Sequence, residues 1–313
     1  MGPRIVTLTL NPALDFVAST GDICHTHKVR MDEGKVAAGG GGINVSHVAR
    51  ELGCETVAIF LCGGAIGQLI GRLLQRDGIP ASPVGIAGES RLCVTAKEAK
   101  TGHEYRLVPS GPMVSGDELA SALACLDELD GDWVVASGSL PPGIPQDTYA
   151  SVARRVHARG QRFALDTSGP ALLAAAHSGC APDLLKLSLR ELEAVAGRPL
   201  PHSLEQENEA LALANGGAAG IVAVTLGAEG AFVAAGGVIH RMPAMAVPTL
   251  STVGAGDSFL AGMVVTLARR QSIQDALRWG VATGVAAVAA AGAAHVRRDG
   301  IHACRERLFA LAA

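Results

Sequence analysis

Thr252-Val253-Gly254-Ala255-Gly256-Asp257-Ser258 stands immediately ahead of an apolar helical run. Glycines at that place let backbone N–H groups crowd together at a helix N-terminus, where the dipole is positive, and the result is an anion cradle. A carboxylate beside a bound phosphate meets repulsion, so Asp257 needs a task of its own. Taking a proton from an attacking hydroxyl is such a task. Acids also favour helix starts for purely structural reasons, and the motif alone leaves both readings open.

Four more strings carry residues of the same kind. Ala38-Gly39-Gly40-Gly41-Gly42-Ile43-Asn44-Val45 opens another helix, permits close backbone approach and adds an amide in the first turn. It fits neither G-x-G-x-x-G nor a Walker A loop, since no Lys-Ser/Thr follows, so a Rossmann dinucleotide site is disfavoured. Asn11-Pro12-Ala13-Leu14-Asp15, Ser137-Gly138-Ser139-Leu140-Pro141-Pro142-Gly143 and Thr225-Leu226-Gly227-Ala228-Glu229-Gly230 each follow an apolar run. Each is compatible with ordinary turn chemistry. Together they lie at strand ends or helix starts, where open α/β sheets assemble one ligand site.

The elements needed to position them are legible as a rhythm of short apolar runs and helical periods. Arg4–Leu10, Glu55–Leu61, Asp132–Ala136, Arg162–Asp166, Leu184–Leu187 and Ile221–Leu226 read as strands. Helical patterns at Ile43–Leu52, Gln68–Asp77 and Pro145–Arg159 each stop at a glycine, the usual C-terminal signal. Such alternation predicts right-handed crossovers and a parallel sheet covered by helices on both faces. After Asp257 only helices follow: Ser258–Arg270, Ile273–Ala291 and about Ile301–Leu311. Two stretches break the rhythm. Arg91–Glu98 and Glu104–Val108 flank a Gly-containing turn and read as a β-hairpin, and Phe16–Lys35 alternates without helical period. These predict a small β appendage on one α/β domain spanning 1–313.

Composition narrows the rest. Apolar residues are 49% of the 313 and charged residues 18%, which excludes a disordered chain. Aromatics are only 3%, so the core must come from Ala, Val, Leu and Ile on closely packed helices. Net charge is −3 and no Lys/Arg run exceeds two, so the basic stripe of a nucleic-acid protein is missing. Seven cysteines form no C-x-x-C pair and read as reduced thiols of a cytoplasmic protein. The ten histidines lack zinc-ligand spacing. Met1–Leu10 does not read as a signal peptide. The charge-free stretch Trp279–Ala294 is shorter than the ~20 residues a membrane span needs, and reads as a buried helix.

Asn11–Asp15, Gly39–Asn44, Gly138–Gly143 and Gly254–Asp257, in this order and spacing, resemble the PfkB/ribokinase superfamily of sugar kinases, and the likeness runs from Arg4 to about Leu311. Within it the chain is similar to the phosphosugar-kinase branch of 1-phosphofructokinase, tagatose-6-phosphate kinase and PfkB-type bacterial 6-phosphofructokinase. The last of these shares the Gly-Gly-Gly-Gly-Ile-Asn cluster, where the other two carry a Lys at the place of Gly41. The resemblance implies a ribokinase-like three-layer α/β sandwich, mostly parallel, with a β-lid from about 16–35 and 91–108 that commonly pairs across a homodimer. It implies Asp257 as general base, with the amides of Gly254, Ala255 and Gly256 around the transferred phosphoryl group. Asp15, Gly40, Gly41 and Asn44 would hold sugar hydroxyls. Lys28, Arg91, Arg106 and Ser139 would meet the phosphate that the sugar already carries. ATP would lie along Lys186, Ser188, Thr225, Gly227, Gly230 and Thr249, with Glu191 acting on Mg²⁺ through water. Lys and Arg on hairpins are also ordinary solvated edge charges, although Lys28 is one of only five lysines.

The chain departs from the family at two places. Lys186-Leu187-Ser188-Leu189-Arg190-Glu191 has Ser188 where the family has an Asn that organises the water shell of Mg²⁺. Ala290 and Ala294 replace the Asn and Arg that relatives place near a monovalent-cation site. The expectation is an ATP-dependent kinase that phosphorylates the 1-hydroxyl of fructose 6-phosphate, with 1-phosphofructokinase and tagatose-6-phosphate kinase as neighbouring alternatives. The alternative of another class is a sugar-phosphate or nucleotide binder with reduced catalysis, which Ser188 favours and Asp257 and Glu191 oppose.

Overall fold

The computed structural model describes residues 2–179, 181–290 and 296–311. Ala291 and Ala294 lie outside these. Among the described residues, thirteen strands form two sheets and ten α-helices pack around them.

The large sheet has nine strands in the order β13-β12-β11-β10-β9-β8-β1-β4-β5. Its parallel body is β1 (Arg4–Thr9), β4 (Glu55–Gly63), β5 (Ala81–Ile86), β8 (Trp133–Ser137), β9 (Arg162–Asp166), β10 (Leu184–Ser188) and β11 (Ile221–Thr225). These central strands are buried along most of their length, which is why they read as continuous apolar runs rather than alternating ones. Two antiparallel strands close one edge: β12 (Ala231–Ala235) and β13 (Val238–Met242). Gly236 and Gly237 join them with φ of 57° and 77°, as a two-residue type I′ turn requires.

Helices cover both faces. One carries α1 (Gly41–Glu51), α2 (Gly64–Arg76), α8 (Ala255–Ala268), α9 (Ile273–Val288) and α10 (Arg298–Leu311); Val45, Val48, Phe259, Val281 and Ile301 meet there. The opposite face carries α3 (Gly116–Asp127), α4 (Thr148–Ala158), α5 (Gly169–His177), α6 (Leu189–Ala196) and α7 (Ser203–Asn215), with Leu123, Tyr149, Leu172 and Leu192 in its core. The scarcity of aromatics has a structural counterpart at the α8–α9 contact. A Cβ on Gly262 would stand 2.6 Å from the Trp279 carbonyl oxygen, so these helices approach as closely as small residues allow.

The smaller sheet has four strands in the order β3-β2-β6-β7: β2 (Ala13–Thr20), β3 (Lys35–Gly39), β6 (Arg91–Glu98) and β7 (Glu104–Leu107). It is built from two excursions out of the main body, one between β1 and α1, the other between β5 and α3. The expected β character of 16–35 holds only as far as Thr20, and residues 21–34 form no strand. That connection is largely exposed and is folded back on β2 by Asp32, which bonds the Ser19 amide at 2.7 Å and donates to the Ser19 carbonyl at 2.9 Å. Without a burial face it has no reason to pair. β5 also went unpredicted: it is a half-exposed edge strand interrupted by Pro83 and Gly85.

Candidate active site

The loops after β1, β8, β9, β10 and β11 leave the large sheet on the side where its parallel strands end, and α1 and α8 begin beside them. Gly254 caps α8 in a left-handed conformation, φ 74°, and puts Asp257 in the first helical turn. Both of its carboxylate oxygens are held. Asn44 Nδ2, from the first turn of α1, donates to Oδ2 at 2.9 Å, and Ser137 Oγ, from the end of β8, donates to Oδ1 at 3.0 Å. Asn44 and Ser137 are themselves buried, so three separate parts of the sequence fix one carboxylate.

The glycines of the α1 loop have a specific use here. A Cβ on Gly41 would collide with Ser137 Oγ and stand 2.8 Å from Asp257 Oδ1. A side chain at this position and the Ser137–Asp257 contact exclude one another. The chain that follows Ser137 is fixed at the Gly138 carbonyl, which accepts from Tyr149 Oη at 2.9 Å and Thr167 Oγ1 at 3.0 Å.

Behind the cradle lies a buried ion pair. Lys186 Nζ, from β10, is 3.0 Å from Asp166 Oδ2 at the end of β9. A Cβ on Gly256 would stand 2.8 Å from that same Nζ, so the ammonium reaches the first turn of α8 because residue 256 is glycine. Burial pushes the Asp166 carboxyl up to about 6; Lys186 opposes this, and the negative charges of Asp257 and Glu191 add to it. Burial works against the Lys186 ammonium, but Asp166, Glu191 and Asp257 outweigh it and hold its pKa above the ordinary lysine value. Three carboxylates therefore converge on one ammonium beside the cradle.

A cleft of about 140 Å³ separates the cradle from the small sheet. Asp15, Arg91 and Arg106 line it from the sheet side; Gly40, Gly41, Asn44, Gly254 and Asp257 line it from the other. Burial pushes Asp15 up to about 6, with Arg106 and Arg91 pulling down and Asp257 raising it further. Arg91 is pinned by two carbonyls, Nη1 to Pro109 at 2.9 Å and Nη2 to Asn11 at 2.8 Å.

Several expected residues take other places. Lys28 lies in the connection after β2 and lines a separate surface pocket with Asp22, His27 and Arg30, so one chain does not bring it to the cleft. Ser139 accepts from Asn11 Nδ2 at 3.2 Å, and the hydroxyl that touches Asp257 belongs to Ser137, two residues earlier. Ser188 and Glu191 form a capping box at the start of α6. Ser188 N and Oγ donate to Glu191 Oε2 at 2.6 and 2.8 Å, and Glu191 N donates back to Ser188 Oγ at 3.3 Å. Their spacing is the S-x-x-E signature of such a cap, legible in the sequence. Thr225 and Gly227 sit at the end of β11, and Gly230 is forced to be glycine by the Met242 carbonyl. Thr249 instead faces Ser19, Lys97 and Glu104 of the small sheet.

The model of the pfkB family carbohydrate kinases matches residues 10–298. The chain belongs to that family. Among pfkB-family relatives, the ATP-dependent 6-phosphofructokinase isozyme 2 of Mycobacterium tuberculosis is 39% identical over 316 residues, covering 99% of this chain and 90% of that protein. The Escherichia coli isozyme 2 is 35% identical over 286 residues, covering 91% and 92%. Among solved structures, phosphofructokinase-2 from Escherichia coli in complex with fructose-6-phosphate superposes with a TM-score of 0.92 at 31% identity, over 98% of this chain and 99% of that one. The pfkB-family architecture accounts for the mostly parallel sheet between helices.

Proposed function

We propose that this kinase transfers the γ-phosphoryl group of ATP to the 1-hydroxyl of fructose 6-phosphate, giving fructose 1,6-bisphosphate and ADP. The observation that carries this reading is Asp257. It is held by Asn44 and Ser137 at the mouth of a helix N-terminus, and it faces a cleft whose far wall bears Arg91 and Arg106. The sugar enters with its phosphate toward those arginines and its hydroxyls toward Asp15 and Asn44. Asp257 takes the hydroxyl proton as the oxygen–phosphorus bond forms and the bond to the leaving ADP oxygen breaks. The amides of Gly254, Ala255 and Gly256, with Lys186 alongside, stabilise the charge on the equatorial oxygens.

Asp166, Asp257 and Glu191 beside a polyphosphate are an excess of negative charge that suits a divalent cation, so the residues present fit Mg²⁺. Among the described residues no three His, Cys, Asp or Glu side chains form a direct metal cage, so Glu191 would act through water, with Oε2 already engaged in its cap. Bound there, Mg²⁺ neutralises phosphate charge. The ATP-binding surface runs from Lys186 and Ser188 to Thr225, Gly227 and Gly230.

The small sheet is the lid of one catalytic domain, and its outer face supports a homodimer. Val36, Leu92 and Leu107 on its strands and Val29 and Met31 in the connection after β2 are exposed, apolar surface that a second lid would cover. Lys28 then serves the partner's cleft. Mixing Lys28→Ala and Asp257→Asn chains should regain activity through hybrid sites that carry neither substitution; no recovery refutes this arrangement. No described helix is long and apolar enough to cross a membrane, and a cytoplasmic enzyme is the consistent setting. The reading as a whole is tested by ADP release with fructose 6-phosphate, fructose 1-phosphate and tagatose 6-phosphate at equal concentration. Fructose 6-phosphate should give the highest kcat/KM. Preference for either competitor moves the chain to another branch, and no turnover with any makes it a binder.

A further inference from the structure

The phosphosugar side of the cleft and the phosphoryl cradle belong to different parts of the fold, and one lysine joins them. Lys97 lies near the end of β6, beside Ser19 on β2 and Glu104 on β7. Its Nζ donates to the carbonyl oxygen of Leu250 at 2.5 Å, and Glu104 Oε2 is 4.0 Å away. Among the described residues this is the one hydrogen bond between the small sheet and residues 249–253. That segment runs directly into Gly254 and is otherwise held by α9, through Leu250 N and Ser251 N to the Val288 carbonyl at 2.9 and 3.3 Å. Val253 N bonds Ser251 Oγ at 3.2 Å, and the Val253 side chain packs on Ala37 and Val17 of the small sheet. A lysine on an exposed strand ordinarily leaves its ammonium in water. This one is about one-quarter exposed and engages a main-chain carbonyl of another part of the fold.

The other end of the same strand is Arg91, which lines the cleft. Six residue steps of extended chain separate Arg91 from Lys97, about 20 Å at the rise of a strand. A paired strand is stiff over that length. We propose that Lys97 is a positioning residue that couples occupancy of the lid to the cradle. Phosphosugar bound at Arg91 settles β6, and β6, through Lys97 and Leu250, holds residues 250–253 so that the amides of Gly254–Gly256 face the phosphoryl group. The proposal rests on the phosphosugar-kinase reading for what occupies the cleft. The Lys97–Leu250 bond is a feature of the chain regardless of that ligand.

Hydrogen exchange and steady-state kinetics on the wild type, Lys97→Met and Lys97→Arg test it. Methionine keeps the aliphatic stem, and arginine keeps a cationic donor. Without ligand, Lys97→Met should speed exchange at the amides of Leu250, Ser251 and Val253 about ten-fold, the worth of a charge-assisted hydrogen bond. β6 and β7 should be unaffected. In the wild type, fructose 6-phosphate should slow exchange both in β6 and at 250–253; in Lys97→Met it should slow β6 alone. The kcat of Lys97→Met should fall about ten-fold with KM for fructose 6-phosphate within about three-fold, and Lys97→Arg should recover most of the loss. Unchanged exchange at 250–253 in ligand-free Lys97→Met overturns the proposal, as does a loss confined to KM. Faster exchange throughout β6 and β7 would make Lys97 a lid-stability residue and also overturn it. If fructose 6-phosphate slows no amide in the wild type, the substrate reading fails while the ligand-free comparison still decides the role of Lys97.

Discussion

The two walls of the cleft are built on opposite plans. On the cradle side the functional groups are tied to one another: half-buried Asp257 to buried Asn44 and Ser137, and buried Lys186 to buried Asp166. On the lid side Arg106 is exposed and Arg91 is fastened only to carbonyls of the adjoining loops. Preorganised donors beside a developing charge act on the transition state. Cations that meet a phosphate already present in the substrate act equally on ground and transition states. The cradle, with Lys97 bracing the segment that leads into it, should therefore set kcat, and the lid cations that meet the sugar's phosphate should set KM.

The largest expected effect is on the cradle. Asp257→Asn keeps size, but one of its two acceptor oxygens becomes an NH2, so Asn44 or Ser137 must turn to accept from it; it cannot take the proton, and kcat should fall at least ~10²-fold, the typical worth of a general base. Its KM for fructose 6-phosphate should stay within a few-fold, as read by initial rates at saturating ATP. Across the cleft, Arg91→Ala should raise KM for fructose 6-phosphate by about ten- to a hundred-fold, given ~1.5–3 kcal/mol for a charged hydrogen bond. Its KM for ATP serves as the internal control and should not move. A large kcat loss in Arg91→Ala with KM intact breaks the division of labour.

Asp15 tests the lid through stability. Its pKa is raised in the folded chain to about 6, so the native state binds the proton more tightly than the unfolded state. Stability associated with this group is fully present below its ordinary value of 3.8 and is lost as pH rises through about 6. At pH 7 Asp15→Asn removes a buried charge and should raise Tm by about 2–5 °C, while weakening fructose 6-phosphate binding. Near pH 3.5 the two proteins should melt alike. Thermal scans at the two pH values check this, and a destabilised Asp15→Asn at pH 7 contradicts it.

The smallest effects compare two identical caps. Ser115–Glu118 at α3 and Ser188–Glu191 at α6 are both complete capping boxes. Ser115→Ala should cost about 1 kcal/mol of stability and leave kinetics unchanged. Ser188→Asn retains a residue that caps helices and releases the Oγ contact on Glu191, so stability should hold. Its half-saturating Mg²⁺ should fall, by less than about ten-fold. A Mg²⁺ titration with no shift makes the Ser188 box as purely structural as that of α3.

The parallel core was legible because strands buried on both faces must be continuously apolar. Ile221–Thr225 and Arg162–Asp166 announce themselves that way. The hairpin of β12 and β13 was missed although Gly236-Gly237 is its signal, since Ala231–Ala235 carries no alternation. Asp257, Asn44, Gly41, Asp15, Arg91 and Arg106 were all named from the sequence and do share the cleft. The roles of Ser137 and Asp166 escaped notice because they come from contacts 120 and 20 positions away along the chain, Ser137 with Asp257 and Asp166 with Lys186. Such contacts leave no local pattern. The Lys28 position shows the converse: family likeness assigns it to the sugar's phosphate, and in its own chain it lies outside the cleft.

Single-turnover phosphoryl transfer, followed by rapid quench with enzyme in excess over labelled ATP, separates the two walls most directly. At saturating fructose 6-phosphate, Asp257→Asn should form product at least ~10²-fold more slowly than the wild type, because no concentration of sugar replaces the base. Arg91→Ala should return to near the wild-type rate once the sugar saturates. Equal losses in the two variants at saturation, or a fast Asp257→Asn, would contradict the assignment of chemistry to the cradle and recognition to the lid.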